Sequence, residues 1–530
     1  MPPRPSRHRL IALAAGAVAA TLMVAAAAPS GAAPSRADRA RLAVPAAVTA
    51  SWPMAGHDLS NTRNNPNETA IGTANVAGLV PKWSVSFPNN LTATPAVVGG
   101  VVYVGDRGGS LGAYNATTGA AIWSHTVASY TAVTGDLVHA SPAVAGGRVI
   151  VGDQPITGTH PGAQVFAVST TTGALLWKTV VDTQQTAKIT GAAAIDGSTV
   201  YIGVSSNDGS KSTCCSFRGS VVALNASTGK LLWRRYTVPA GYTGGSVWGG
   251  KPVIDHTTGL LYIGTGNNHS APAGVCTAPG QTGCTAPAAT DYFDSLLALH
   301  LSTGTVAWSM RTLSADVNST ACATSPPCGP DYDMGSAPNL FTATIGGVPR
   351  SLIGIGQKSG MYWARDAATG AAVWQTQVGP GGTGGGIQWG SAVDGKRIYV
   401  SIMNSENATW TLTPSGKTVT GGAFGALDPA TGKILWQTAD PQGAGDQGFV
   451  SSANGVVYAG SNEGTGNTMY ALNGATGKIL WKFASGGSVV GGAAIVNGQI
   501  YWESGYYHPQ CPSTQPTCGT TTFKMYAFGL

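Results

Sequence analysis

The sequence predicts an all-β chain closed into an eight-bladed β-propeller, on three observations. A hairpin motif ending in tryptophan recurs seven times, short apolar strands recur upstream of the hairpins, and one tryptophan strand near the start lacks its hairpin. The template is VVALNASTGKLLW, ending at Trp233. Its copies end at Trp123, Trp177, Trp308, Trp374, Trp436 and Trp481. Successive tryptophans lie 54, 56, 75, 66, 62 and 45 residues apart, so a constant core carries loops of variable length.

Within each copy the first arm alternates with the period of a strand. Asn or Asp before Thr-Gly supplies turn chemistry, and the glycine takes the positive φ that closes the turn. The upstream strand, of the type G-x-[VIL]-Y-[VI], reads GVVYVG at 100–105, GRVIVG at 147–152, STVYIG at 198–203 and GLLYIG at 259–264. It returns as KRIYV at 396–400, GVVYAG at 455–460 and GQIYW at 498–502. Several short strands per repeat of this length are the mark of a propeller, whose radial sheets bury faces that no single blade could cover. One tryptophan at a fixed place per repeat suits a wedge between neighbouring blades. GQIYW is followed by a terminal strand, KMYAF at 524–528, with no tryptophan hairpin after it. GLVPKWSVSF at 78–87 supplies Trp83 with no hairpin before it. Joining the two makes the eighth blade, closed by N- and C-terminal strands, and removes the exposed sheet edge.

Residues 1–33 read as a signal peptide. Arg4, Arg7 and Arg9 precede an apolar run at 10–28, and APSGAA offers a small-residue cleavage site. A membrane anchor is the other reading of that run; export with no membrane span afterwards is the expectation. Removing the three arginines lowers the net charge from +6 to +3, and there is no basic patch with interleaved aromatics, which argues against nucleic acid. Residues 34–50 are an alanine-rich spacer, and 51–530 are expected to form one propeller. With 75 glycines, 31 prolines and 10% charged residues, the composition is that of a secreted β protein.

The eight cysteines suit an oxidising compartment. Cys276 with Cys284, Cys322 with Cys328, and Cys511 with Cys518 are the simplest local pairs. Cys214 and Cys215 are adjacent and can bond only through a strained eight-membered ring; free thiols or pairing elsewhere are the alternatives. No CxxCH haem-attachment motif occurs.

The repeats, the Cys-Cys pair in CCSFRGSVVAL and the WPMAGHDLSNTR stretch resemble the quinoprotein alcohol dehydrogenases that bind pyrroloquinoline quinone (PQQ). Within them the likeness is greatest to the polyvinyl alcohol dehydrogenases. Four loop motifs carry the family's site residues. ITGAAAIDGSTVYIGVSS (189–206) implies Thr190, Ser205 and Ser206 on the quinone carboxylates. GGSVWGGKPVIDHTTGLLYIGTGNN (244–268) implies a stacking tryptophan, Trp248, and a calcium ligand, Asn267. DYDMGSAP (331–338) implies the catalytic aspartate, Asp331 with Asp333 as the alternative, Asp331 also touching the metal. GQKSGMYWARDAATG (356–370) implies Lys358 at the quinone oxygens. Trp389 adds a further wall, and the resemblance implies a capping role for a Cys214–Cys215 disulfide, here from a different segment than in methanol-type relatives. Where the family has a calcium-binding glutamate after Gly-Val-Ser, this chain reads Ser206-Asn207-Asp208, so Asp208 is the substitute.

These residue types suit the chemistry. A planar tricarboxylated quinone needs an aromatic floor, hydroxyl donors and cations; calcium takes oxygen ligands and acts as a Lewis acid. An aspartate can take the alcohol proton, and a lysine stabilises the charge developing on the quinone oxygen. The resemblance implies an exported dehydrogenase of secondary alcohol groups, with polyvinyl alcohol or another bulky alcohol as substrate. Electrons pass to an external acceptor such as a c-type cytochrome. Inserts at 269–290 and 312–330 are expected to rim the access face. A non-enzymatic envelope scaffold and a PQQ-dependent aldose dehydrogenase are the competing readings.

Overall fold

The computed structural model describes residues 51–155, 160–324, 326–506 and 522–530. The signal peptide, the spacer and the Cys511/Cys518 pair fall outside the described residues. Eight four-stranded antiparallel sheets succeed one another along the chain. Blade 1 comprises Ala96–Val98, Val101–Gly105, Ser110–Asn115 and Ala121–Thr126; the same order recurs through blade 7, which ends at Ile479–Phe483. Blade 8 takes Ala494–Val496, Gln499–Ser504 and Lys524–Gly529 from the C-terminal end and Val80–Ser86 from the N-terminal end, with Trp83 opposite Ala527. The split blade is therefore as the sequence predicts. Blade 5 is the one whose second strand, Val348–Gly356, escapes the strand motif, because Gly354 stands where the others carry tyrosine or isoleucine. The helices among the described residues span five residues at most, and none is long and apolar enough to cross a membrane.

The tryptophans form a closed ring of contacts. Each sits on the outermost strand of its blade and donates its indole N–H to a backbone carbonyl of the next. Trp83 reaches Ala116 at 2.9 Å, Trp123 reaches Thr170 at 2.9 Å, and Trp177 reaches Ala226 at 2.9 Å. Trp233, Trp308, Trp374 and Trp436 continue to Leu301, Ala367, Pro429 and Gly474, and Trp481 closes the circle on Leu79 at 3.0 Å. The glycine of each Thr-Gly turn has a second duty here. At Gly304 (φ 67°) a Cβ would lie 2.5 Å from the Trp233 ring, so only glycine lets the indole cover the turn.

The first strand of each blade is innermost, and these strands pack on one another around the axis. Residues 52–65 run as a strap over one end of them. Trp52 exchanges two hydrogen bonds with Val97 of blade 1, and the carbonyls of Pro53, Leu59, Ser60, Thr62 and Arg63 accept from Val144, Ile254, Leu340, Val393 and Ser452. The Asn65 amide donates to Ile495 of blade 8. Seven blades are tied by fourteen residues. This is what the WPMAGHDLSNTR stretch builds: a floor that ties the innermost strands of seven blades together.

Candidate active site

Loops of blades 1 to 5, with Trp389 ahead of blade 6 and Tyr506 of blade 8, meet around an axial cavity of about 430 Å³. A single repeat position supplies much of its lining. Two residues after the glycine that ends the second strand stand Arg107, Gln154, Ser205, Gly266 and Lys358 in blades 1 to 5, and all five line the cavity. In blade 3 the second strand, Thr199–Ser206, runs past its blade and pairs with Ala187–Lys188, which brings Lys188, Thr190, Ser205 and Ser206 to one wall.

The aromatic wall is Trp248 and Trp389, whose rings meet edge to face at 5.2 Å. Trp248 lies against Gly335, where a Cβ would fall 2.2 Å from the indole; the glycine of DYDMGSAP is therefore required by the ring beside it. Trp389 is set by a short parallel bridge, Trp389–Gly390 with Ser336–Ala337, and rests on Phe449 and His139. Burial, with Arg107 and Lys188 nearby, pushes the His139 imidazole well below its usual range, so it is neutral. Burial also lowers Lys188 to about 8, helped by Arg107 and Lys211.

The acid corner lies at the other side. The Lys358 ammonium is 3.0 Å from Asp331 Oδ2 and 3.0 Å from Asp333 Oδ2, and 5.6 Å from the centre of the Trp248 ring. Burial opposes its charge, but Asp333 and Asp331 outweigh that and hold it protonated. Asp333 is engaged through both oxygens: Oδ1 accepts from the Asn267 N–H at 2.7 Å and Oδ2 from the Trp248 indole at 3.0 Å. Asp331 is used through one, and burial, only partly offset by Lys358 and reinforced by Asp333, raises its carboxyl to about 7. The Asn267 side-chain nitrogen donates to the Asn268 and Asn318 carbonyls, both at 2.8 Å, which turns its oxygen the other way, toward the cavity it lines.

Eight of the sequence-predicted residues thus share one cavity: Thr190, Ser205, Ser206, Trp248, Asn267, Asp333, Lys358 and Trp389. Asp331 joins them through Lys358. Cys214, Cys215 and Asp208 are placed in a neighbouring loop instead. The two cysteines are bonded to each other, and Cys215 Sγ lies 3.4 Å from the carbonyl of His269, itself a cavity residue. Asp208 Oδ2 accepts from the Ser216 and Phe217 N–H groups, so this carboxylate braces the disulfide loop. Disulfides also join Cys276 to Cys284 and Cys322 to Cys328, and the two inserts they close hydrogen-bond to each other through Thr277. Arg107, Lys188, His139 and Tyr506 are cavity residues that the motifs did not yield; the blade position shared by Arg107 and Lys358 was the signal available.

The lining suits a flat polyanion. Three cations, five serine or threonine hydroxyls and two tryptophans face a space large enough for a tricyclic ring. Oxygen donors for a hard cation are present at Asn267 and Asp331, in a corner where carboxylates outnumber the one ammonium. Asp208 does not extend that donor set.

The family described as outer membrane protein assembly factor BamB, one of PQQ-type repeats, matches residues 74–310 and 420–510. A polyvinylalcohol dehydrogenase of Sphingopyxis sp. (strain 113P3) is 29% identical over 490 residues, covering 82% of this chain and 70% of that protein. One from Pseudomonas sp. is 29% identical over 503 residues, covering 86% and 73%. The crystal structure of quinohemoprotein alcohol dehydrogenase from Comamonas testosteroni superposes with a TM-score of 0.70 at 21% identity, over 92% of this chain and 81% of that one; at that identity the likeness carries the fold alone. On its repeats, its eight closed blades and the reach of the match, the chain belongs to this family of PQQ-type repeat propellers.

Proposed function

We propose that the protein is an exported, PQQ- and calcium-dependent dehydrogenase of secondary alcohol groups, acting on polyvinyl alcohol or another bulky alcohol and passing electrons to a separate carrier such as a c-type cytochrome. One observation carries the reading: an ammonium held between two carboxylates at the end of a cavity lined by cations and tryptophans. The bound quinone would supply the two-electron oxidant. Arg107 and Lys188 would bind its carboxylates, with Thr190, Ser205 and Ser206 donating hydroxyls, and Trp248 and Trp389 would enclose its ring. Asn267 and Asp331 would hold the calcium ion. Asp331, with one oxygen free, accepts the substrate hydroxyl proton; Asp333 fixes Trp248 and Lys358. Lys358 would supply positive charge beside the quinone oxygens.

The matched family description is that of an assembly factor, which favours a non-enzymatic propeller as the second reading. A scaffold has no use for this acid corner. Incubation with PQQ and calcium decides between them: the expected result is retained quinone absorbance and reduction of an artificial acceptor on adding a secondary alcohol. No retained quinone ends the enzyme reading. A panel that includes aldoses tests the related aldose dehydrogenase activity in the same assay.

Calcium has its own test. Because Asp208 is committed to backbone N–H groups, Asp208→Asn leaves the calcium concentration for half-maximal reconstitution unchanged. Asn267→Ala raises it about tenfold, equivalent to ~1.4 kcal/mol. The reverse pattern would make Asp208 the ligand.

A further inference from the structure

Behind the acid corner lies a second pair of carboxyl groups that the chemistry above leaves unused. Asp294 and Asp316 are both fully buried, and their carboxyl groups are neighbours. Asp316 also faces the loop that carries the proton acceptor. Its Oδ1 accepts from the Asp331 N–H at 3.1 Å and its Oδ2 from the Tyr332 N–H at 2.9 Å. No Cβ fits at Gly329, where one would stand 2.1 Å from Asp316 Oδ1, so the chain is drawn tight around this carboxylate.

Asp331 needs such a hold. Its backbone is left-handed, with φ 61°, a conformation that costs a residue with a side chain about 1–3 kcal/mol and persists only where the surroundings enforce it. Two hydrogen bonds from successive N–H groups to one charged carboxylate are the means. The opposite end of the loop is tied as well: the Gln357 amide donates to the Tyr332 carbonyl at 2.7 Å, and the Lys358 N–H to the Asp333 carbonyl at 3.1 Å. Asp294 is set behind Asp316 by its own N–H, which donates to the carbonyl of Gly266, a cavity residue. Among the described residues no donor reaches the Asp294 carboxyl oxygens, and Asp316 is the neighbouring carboxyl. Burial, then the Asp316 charge, drives Asp294 well above the carboxylate range, so it carries a proton that Asp316 can accept.

We propose that Asp316 is a positioning residue of the dehydrogenation and Asp294 the group that seats it. Gripping the Asp331 and Tyr332 N–H groups, the Asp316 carboxylate aims the Asp331 side chain at the cavity. The inference rests on Asp331 being the proton acceptor.

The test uses the quinone-loaded protein with Asp316→Asn, Asp294→Asn, Asp294→Ala and Asp331→Asn, reading kcat, KM and quinone absorbance separately. An asparagine at 316 presents an NH2 to one of the two N–H donors. Its kcat is expected to fall about 10- to 100-fold, the order of loss that misplacement by 1 Å produces, with KM and quinone content unchanged. Asp294→Asn still donates to Asp316 and loses no more than about threefold, whereas Asp294→Ala falls with Asp316→Asn. Wild-type kcat in Asp316→Asn or Asp294→Ala, with Asp331→Asn inactive, overturns the positioning role alone. An active Asp331→Asn removes the proton acceptor and this proposal with it. Should Asp316→Asn fail to fold, the contrast between the two Asp294 variants decides.

Discussion

Replacing Asp331 by asparagine is expected to lower kcat by about 10²–10⁴-fold, the contribution of a positioned general base, while quinone retention stays near that of the unaltered protein. Asparagine keeps the volume and the contact with Lys358 Nζ at 3.0 Å through its amide oxygen, so the corner stays assembled. What it cannot do is take a proton. The same carboxyl predicts a pH profile. Burial, with Asp333 close by, raises Asp331 to about 7, and only its ionised form is a base. A calcium ion on the same carboxylate favours the ionised form, so in the loaded enzyme activity rises with pH over a range below about 7 and levels off above it. The sign of the stability effect is opposite. A carboxyl raised in the folded state favours folding while it is protonated, and that contribution is lost as pH climbs from the ordinary aspartate range to about 7. An activity limb that persists unmoved in Asp331→Asn would assign the titration to another group, and undiminished turnover would remove Asp331 from the chemistry.

The repeat made the fold legible, and only the repeat. Seven hairpins ending in tryptophan imply seven identical environments, and Trp83 could be assigned to the blade of residues 524–528 because it lacked its own hairpin. The structure gives that tryptophan the same indole-to-carbonyl bond as the others. The site was legible where a loop motif marked it: Trp248, Asn267, Asp333 and Lys358 sit on neighbouring loops that the blades carry to one axis. Arg107 and Lys188 were not, because a lysine or arginine after a strand looks solvated until closure brings five such loops together. Asp208 is the reading that lies apart from the others. Its place in the chain suggested a ligand, but a three-residue turn and the adjacent disulfide draw its carboxylate to Ser216 and Phe217. Asp331 and Asp333, two residues apart, differ in that the Asn267 N–H and the Trp248 indole reach only Asp333, and sequence carries no trace of that. The strap has no period at all, so its stretch was recognisable but its task was not.

Arg63 in that strap carries the largest expected effect on stability. Its side chain is fully buried without a carboxylate partner. Nε donates to the Val450 carbonyl at 2.7 Å, one terminal nitrogen to Ala55 at 2.6 Å and the other to Thr94 Oγ1 at 3.0 Å. Burial lowers the guanidinium to about 9, which leaves it charged at neutral pH. Its carbon lies 4.3 Å from the centre of the Phe449 ring, and Phe449 supports Trp389 of the cavity. Arg63→Ala leaves two carbonyls without a donor, at about 1–3 kcal/mol each, and opens a void that adds a further cost of about 2–5 kcal/mol, while Thr94 Oγ1 keeps the Gly492 N–H. Against this stands the desolvation of a buried charge, itself several kcal/mol, which the alanine variant no longer bears. The balance is a loss of about 3 kcal/mol, since three hydrogen bonds and a packed side chain outweigh one partly compensated charge. The consequence reaches the site: with the floor loosened under Phe449, quinone should be lost on dilution from Arg63→Ala and kept by the unaltered protein. Arg63→Lys keeps the charge but not the three-way fork, and falls between the two. Urea midpoints and quinone absorbance after gel filtration measure both effects, and an alanine variant that matches the unaltered protein in both would show that the strap is held without its arginine.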